Sequence, residues 1–223
     1  MEELKDIINR LKSATPDILI RSKRDFTAED CEELTAIIGG GILPGGFAID
    51  KENGVVYRKF TSWLLGQGEL NPLKGIYLAG NVGTGKSVCM KVMRTLAYEL
   101  GLKVKYGNSV ERLAWRTWRT DEVCAIFAST GDLTPFKEAR VACFDDLGSE
   151  PMETLYMGNR VNVMREIIEY RGDRPDLITL FTSNLPIDRL GAIGERVRYG
   201  QRAQSRIYQM CNYLVLGGAD RRR

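Results

Sequence analysis

From residue 55 onward the chain alternates between short apolar runs and longer stretches whose apolar residues recur at three- or four-residue spacing. Ile76-Tyr77-Leu78-Ala79, Val141-Ala142-Cys143-Phe144 and Leu177 to Phe181 predict strands buried on both faces, and Lys103-Val104-Lys105-Tyr106 predicts another. Between them, residues 55–65, Lys86 to Leu100 and 158–170 predict helices. The second is stopped by Gly101, and the third carries Val161, Met164 and Ile168 on one face. The stretch after Tyr106, rich in Trp and Arg, reads as a mixed helical region. Apolar strands separated by helices imply an α/β fold with a parallel sheet covered on both faces.

Residues 1–50 follow a different pattern. Leu4, Ile7, Ile8 and Leu11 share one face of a helix over residues 2–12. A second helix starts after Thr27, a good N-cap with Asp30 as its capping-box acid, and ends at Gly39-Gly40-Gly41. The glycine and proline run through Gly46 reads as a linker. The expected organisation is therefore a small helical segment, 1–50, and an α/β domain, 51–223.

Charge changes the picture only locally. The formal net charge of the 223 residues is +3, too mild to announce a nucleic-acid binder. From Pro186 to Arg223, however, eight arginines face three acids. The chain has no histidine, which excludes histidine-based triads, general bases and metal ligands. Its five cysteines form no CxxC pair, so neither a zinc site nor a disulfide framework is expected, and a reducing cytoplasm fits. No apolar stretch approaches the roughly 20 residues of a membrane span, and the charged N-terminus is unlike a signal peptide.

The sharpest chemistry lies between the first apolar strand and its helix. Gly80-Asn81-Val82-Gly83-Thr84-Gly85-Lys86-Ser87 is a complete GxxxxGK[ST] phosphate loop in its required strand–loop–helix setting, with Val88 next on the helix. Its glycines let backbone N–H groups wrap the phosphates, and the helix N-terminus adds a positive end. Lys86 suits the β- and γ-phosphates of ATP, and the Ser87 hydroxyl suits Mg²⁺. Asp145 and Asp146, after four apolar residues, fit the second carboxylate site. Asp145 would hold the metal and Asp146 polarise the attacking water, with an Asp rather than a Glu there slowing hydrolysis. Asn184 ends the next strand, where it would orient that water or serve as a turn cap before Pro186.

Four segments together are more specific than the phosphate loop alone. Gly80 to Ser87, Phe144-Asp145-Asp146-Leu147-Gly148-Ser149-Glu150-Pro151, Thr182-Ser183-Asn184-Leu185 and Tyr199-Gly200-Gln201-Arg202-Ala203-Gln204-Ser205-Arg206-Ile207 resemble the DnaC/IstB group of AAA+ ATPases, helicase loaders and transposition helpers. The resemblance spans roughly residues 55–220. It implies an AAA+ type sheet without a C-terminal lid domain, with Asn184 as sensor 1. It implies that Arg206 is an arginine finger reaching a neighbouring subunit's ATP site, hence self-association through that site, with Arg202 as the rival candidate. Its implied partners are a replicative DNA helicase and single-stranded DNA.

Arg112, Arg116 and Arg119, interleaved with Trp115 and Trp118, are the candidate DNA contacts, the tryptophans reading more readily as core. The Arg221-Arg222-Arg223 end suits phosphate contact or a solvated tail. Function is thus expected to be a slow ATPase that binds Mg·ATP or ADP and delivers a helicase. The rivals are a transposition helper beside a transposase and a nucleotide-gated adaptor with little hydrolysis.

Overall fold

The computed structural model describes residues 4–6, 8–9, 20–21, 26–106, 109–191 and 198–221. Leu4 and Ile8 are helical and exposed, whereas Ile7 and Leu11 of the expected N-terminal stripe lie outside the described residues. The short strand β1 (Ile20–Arg21) precedes α1 (Ala28–Ile42). Thr27 caps α1 through a full capping box: its hydroxyl accepts from the Asp30 N–H at 3.1 Å, and the Asp30 carboxylate accepts from the Thr27 N–H at 2.9 Å. Contrary to expectation, Gly39, Gly40 and Gly41 do not end this helix, which runs to Ile42. Glycine lowers helix propensity without forbidding it, and the Phe47 ring lies where a Cβ on Gly39 would stand, so packing holds the final turn.

After α2 (Gly54–Leu64) come β2 (Gly75–Ala79), α3 (Lys86–Glu99), β3 (Lys103–Tyr106), β4 (Ser109–Arg112) and β5 (Arg116–Arg119). Then follow α4 (Thr120–Thr130), α5 (Thr134–Glu138), β6 (Val141–Leu147), β7 (Thr154–Tyr156), β8 (Asn159–Val161) and α6 (Val163–Gly172). The order ends with β9 (Ile178–Ser183), α7 (Asp188–Gly191), α8 (Gly200–Met210) and β10 (Cys211–Val215).

Five strands make one all-parallel sheet in the order β10-β2-β9-β6-β5. The strand period divides its side chains between two cores. Ile76, Leu78, Val141, Cys143, Ile178 and Leu180 face α1, α2 and α3, while Tyr77, Ala142, Phe144 and Phe181 face α4, α5, α6 and α8. All five cysteines are free and buried, as small apolar fillers of these cores. Phe47 and Ile49, just after the stretch read as a linker, pack on the first core.

Two expected helical regions begin as strands and turn helical only further on, at Thr120 and at Val163. The Trp- and Arg-rich stretch forms β4, which pairs with β3 in a separate antiparallel sheet, and β5, the edge of the main sheet. An edge strand is half solvated, so its apolar run is broken by Arg116 and Arg119, and the strand signal is lost. Trp115 and Trp118 are buried core residues rather than stacking platforms. The helix expected over 158–170 starts only at Val163, because β7 and β8 form a hairpin first. Met157 (φ 45°) and Gly158 (φ 83°) supply the two left-handed positions of its two-residue turn.

Arg171 on α6 is 1% exposed and joins several elements. It donates to Thr179 Oγ1 and to the carbonyls of Phe136, Lys137, Ala139 and Ile178, at 2.7–3.2 Å. Replacing it with methionine keeps volume but leaves these acceptors unpaired. Arg171→Met is expected to lower stability by about 3 kcal/mol, read as a reduced urea midpoint with an unchanged slope.

Candidate functional site

The C-terminal ends of β2, β9, β6 and β5 lie side by side, and the loops that leave them meet at one cavity of about 600 Å³. Ligand sites of open parallel sheets lie at this edge. The phosphate loop follows β2. Gly83 (φ 81°) and Gly85 (φ 93°) take left-handed conformations that an L side chain resists. A Cβ at Gly83 would stand about 2.0 Å from the Asp220 carboxylate.

Lys86 is the first residue of α3 and only 7% exposed. Its ammonium donates to Gly80 O at 2.8 Å, to Asn81 O at 2.7 Å and to Asn184 Oδ1, at the end of β9, at 2.7 Å. Asn184 in turn donates from Nδ2 to Asp146 Oδ1 at 3.0 Å. The next residue, Ser87, donates to Asp145 Oδ1 at 2.9 Å. Lys86, Asn184 and Asp146 thus form one hydrogen-bonded chain and Ser87 and Asp145 a pair beside it, at the ends of three adjacent strands.

A β-bulge aims the two acids. The β6–β9 register shifts between Phe144 and Leu147, and Asp146 sits at φ 66°, unusual for a residue with a side chain. Thr182 replaces the lost ladder bond. Its hydroxyl accepts from the Asp146 N–H at 2.8 Å and donates to Asp145 Oδ1 at 2.6 Å. Thr120 Oγ1 donates to Asp146 O at 3.0 Å from the start of α4. Sequence reasoning missed both threonines. Thr182 was legible as the hydroxyl at the end of an apolar strand next to Asn184.

Glu150, just past the bulge, is 3% exposed. It accepts from the Gly148 N–H at 2.9 Å and from the hydroxyl of buried Tyr199, and it pairs with Arg198 at 3.4 Å. The second and fourth sequence segments, far apart in the chain, thus meet here. Burial and the neighbouring Glu150 charge push the Tyr199 phenol well above its ordinary range, so it remains a neutral donor.

Donor chemistry at the cavity suits Mg²⁺. That ion favours one or two protein oxygens together with substrate phosphates and waters, and Ser87 Oγ and Asp145 Oδ1 already adjoin. The described residues contain no cluster of three or more Asp, Glu, Cys or His side chains that would hold a metal alone.

The remaining candidates separate. Arg119 lines the cavity. Arg112 stacks over Tyr98 at 4.3 Å and Arg116 over Trp118 at 5.3 Å, and neither lines it. Arg206 is not a cavity residue either. It pairs with Asp173 at the end of α6 and donates to Gln209 Oε1 at 3.0 Å. Arg202 points to Glu169 at 3.7 Å. Arg221, read as part of a tail, lines the cavity instead: its N–H donates to Gly83 O at 3.0 Å and its guanidinium pairs with Asp50 at 2.8 Å. Arg222 and Arg223 lie outside the described residues. No signal in the sequence marks Arg221, because its partner lies 171 positions away.

An apolar flank completes the cavity. Leu43, Pro44, Phe47, Tyr57 and Leu216 line it beside the phosphate loop.

The comparisons agree with this architecture. Three solved structures cover most of the chain. DnaI matches with a TM-score of 0.55 and 20% identity, over 82% of this chain and 93% of that one. A Streptococcus pyogenes protein described as a primosome component matches at 0.53 and 22%, over 77% and 84%. The DnaC helicase loader matches at 0.50 and 18%, over 76% and 93%. At these identities the likeness is one of fold: a parallel α/β sheet flanked by helices, with the phosphate loop after β2. No protein-family model matches the chain, and no curated protein matches it. Among the described residues no helix is long and apolar enough to cross a membrane.

The Arg221 guanidinium, as the largest influence, holds the Asp50 carboxyl at about 2, below the ordinary 3.8. A lowered carboxylate contributes stability that is complete above its unfolded value and lost as pH falls through its folded one. The tie between residues 50 and 221 is thus expected to weaken between about pH 4 and pH 2. Measured as thermal midpoint against pH, wild type and Asp50→Asn should differ above this window and converge below it.

Proposed function

We propose that this chain is a Mg·ATP-dependent ATPase of the DnaC-like helicase-loader kind, acting in DNA replication on single-stranded DNA with a replicative helicase as partner. The observation that carries the reading is the hydrogen-bonded set Lys86–Asn184–Asp146 and Ser87–Asp145 around one cavity behind a complete phosphate loop. The DnaC helicase loader, whose fold this chain shares, supports the loader role.

Each residue then has a task. The backbone N–H groups of residues 81–87 and the Lys86 ammonium hold the β- and γ-phosphates. Ser87 Oγ and Asp145 hold Mg²⁺, which, when bound, neutralises phosphate charge in the transition state. Asp146 accepts a hydrogen bond from the attacking water while Asn184 fixes its direction. The water oxygen bonds to the γ-phosphorus, the bond from that phosphorus to the bridging oxygen of ADP breaks, and the water's proton leaves toward Asp146. The apolar flank of Leu43, Phe47, Tyr57 and Leu216 takes the adenine ring. Arg206 serves the site of a neighbouring copy. Its exposed Asp173 partner holds it weakly enough to be exchanged for a phosphate.

Slow turnover follows from Asp146. Its carboxylate is a methylene shorter than Glu, sits on strained backbone and already accepts from Asn184. The same observation favours a second reading, a nucleotide-gated adaptor with little hydrolysis. The helical residues Leu4 and Ile8, both exposed, are proposed to dock the helicase.

Lys86→Ala is expected to bring phosphate release to background, and Arg206→Ala to lower turnover by about 10³-fold in concentrated protein. Wild-type turnover no faster than Lys86→Ala would favour the adaptor. Mixed with the replicative helicase of the same organism and Mg·ATP, the wild type should co-migrate on size exclusion, and a Leu4→Asp/Ile8→Asp variant should not. Absence of any complex, with ATPase activity present, would move the reading to a transposition helper.

A further inference from the structure

We propose that Arg119 is a cation of the nucleotide site that binds the terminal phosphate of a triphosphate from within the same chain, in exchange for Asp121. This rests on the nucleotide reading of the cavity.

The position comes from the sheet. Arg119 is the last residue of β5, and the parallel β5–β6 register sets it opposite Asp145. Along the sheet edge the order is phosphate loop after β2, Asn184 after β9, Asp145 and Asp146 on β6, then Arg119. A phosphate chain anchored on the loop and extending past Asn184 meets Arg119 only at its far end.

Among the described residues three cations line the cavity: Lys86, Arg119 and Arg221. Lys86, among the Gly80 and Asn81 carbonyls and Asn184, stands at the root of the phosphate loop, where it meets the β- and γ-phosphates. Arg221 is held by Asp50 and Glu52 on the flank bearing Tyr57. Arg119 is different. Its Nε and Nη2 donate to Asp121 Oδ1 and Oδ2 at 3.0 and 3.1 Å, in a pair whose side chains are 63% and 50% exposed. At that exposure water competes for both partners, so the pair is readily exchanged.

Asp121 does not need this arginine. Its Oδ1 also accepts from the Glu122 N–H at 3.0 Å, and it occupies the first turn of α4, where the helix end favours a carboxylate. Releasing Arg119 therefore leaves Asp121 satisfied. On the other side, Asp145 and Asp146 already attract the guanidinium, and a terminal phosphate offers two oxygens to the arginine fork and more negative charge than a carboxylate. The exchange swaps an exposed carboxylate partner for a more highly charged one at a partly enclosed site.

The consequence is selectivity for ATP over ADP. Titration of wild type, Arg119→Gln and Asp121→Asn with ADP and with a non-hydrolysable ATP analogue, in Mg²⁺, tests it. Arg119→Gln should weaken the triphosphate by ~10-fold and ADP by less than about twofold, and Asp121→Asn should tighten the triphosphate about twofold or more. Equal losses for both nucleotides, or no loss, would overturn the assignment. So would a drop in single-stranded DNA affinity in Arg119→Gln with nucleotide selectivity intact. If wild type itself binds neither nucleotide at millimolar concentration, the nucleotide reading fails first, and that is seen before any variant is compared.

Discussion

A buried ammonium organises the site. Lys86 is almost out of water, and a cation there is tolerated only if oxygen atoms surround it. Two of those oxygens come from the loop after β2 and one from the residue after β9. Satisfying Lys86 therefore fixes the ends of neighbouring strands against each other. Asn184 carries the constraint onward, since its amide has an acceptor for the lysine and a donor for Asp146. Ser87 and Thr182 then settle Asp145 from two sides. Each polar group has its direction set by the next, which is what preorganisation means in a site that must stabilise charge.

The scaffold makes this affordable in packing terms. The central strands β2 and β6 are buried on both faces, so they stay apolar until they reach the site. Tyr77, Phe144 and Phe181 stack across adjacent strands beneath the site, at centroid separations of 5.7–6.1 Å. The chemistry thus stands on fully buried rings in contact across the sheet.

How much was readable in advance depended on whether a signal was local. The phosphate loop, the paired acids and the central strands were legible, because glycine spacing and unbroken apolar runs are local properties. Asn184 was legible only through its place at a strand end, and its bond to Lys86 spans 98 positions. Edge strand β5 was not legible, since solvation of one side interrupts its apolar run and leaves Arg116 and Arg119 looking like surface charges. The β7–β8 hairpin was masked by Val161 and Met164, whose spacing with Ile168 suits a helix, while the turn at Met157 uses a residue that does not advertise a left-handed conformation. Arg221 shows the limit most plainly: three consecutive arginines read as a tail, and only the fold brings the first of them back to Gly83.

Glu150 has a mechanical meaning as well. Through Gly148 on one side and Arg198 and Tyr199 on the other, it welds the loop behind Asp146 to the head of α8. That helix also carries Arg202 and Arg206. The seating of α8 and the course of the loop behind Asp146 are therefore set by the same buried carboxylate.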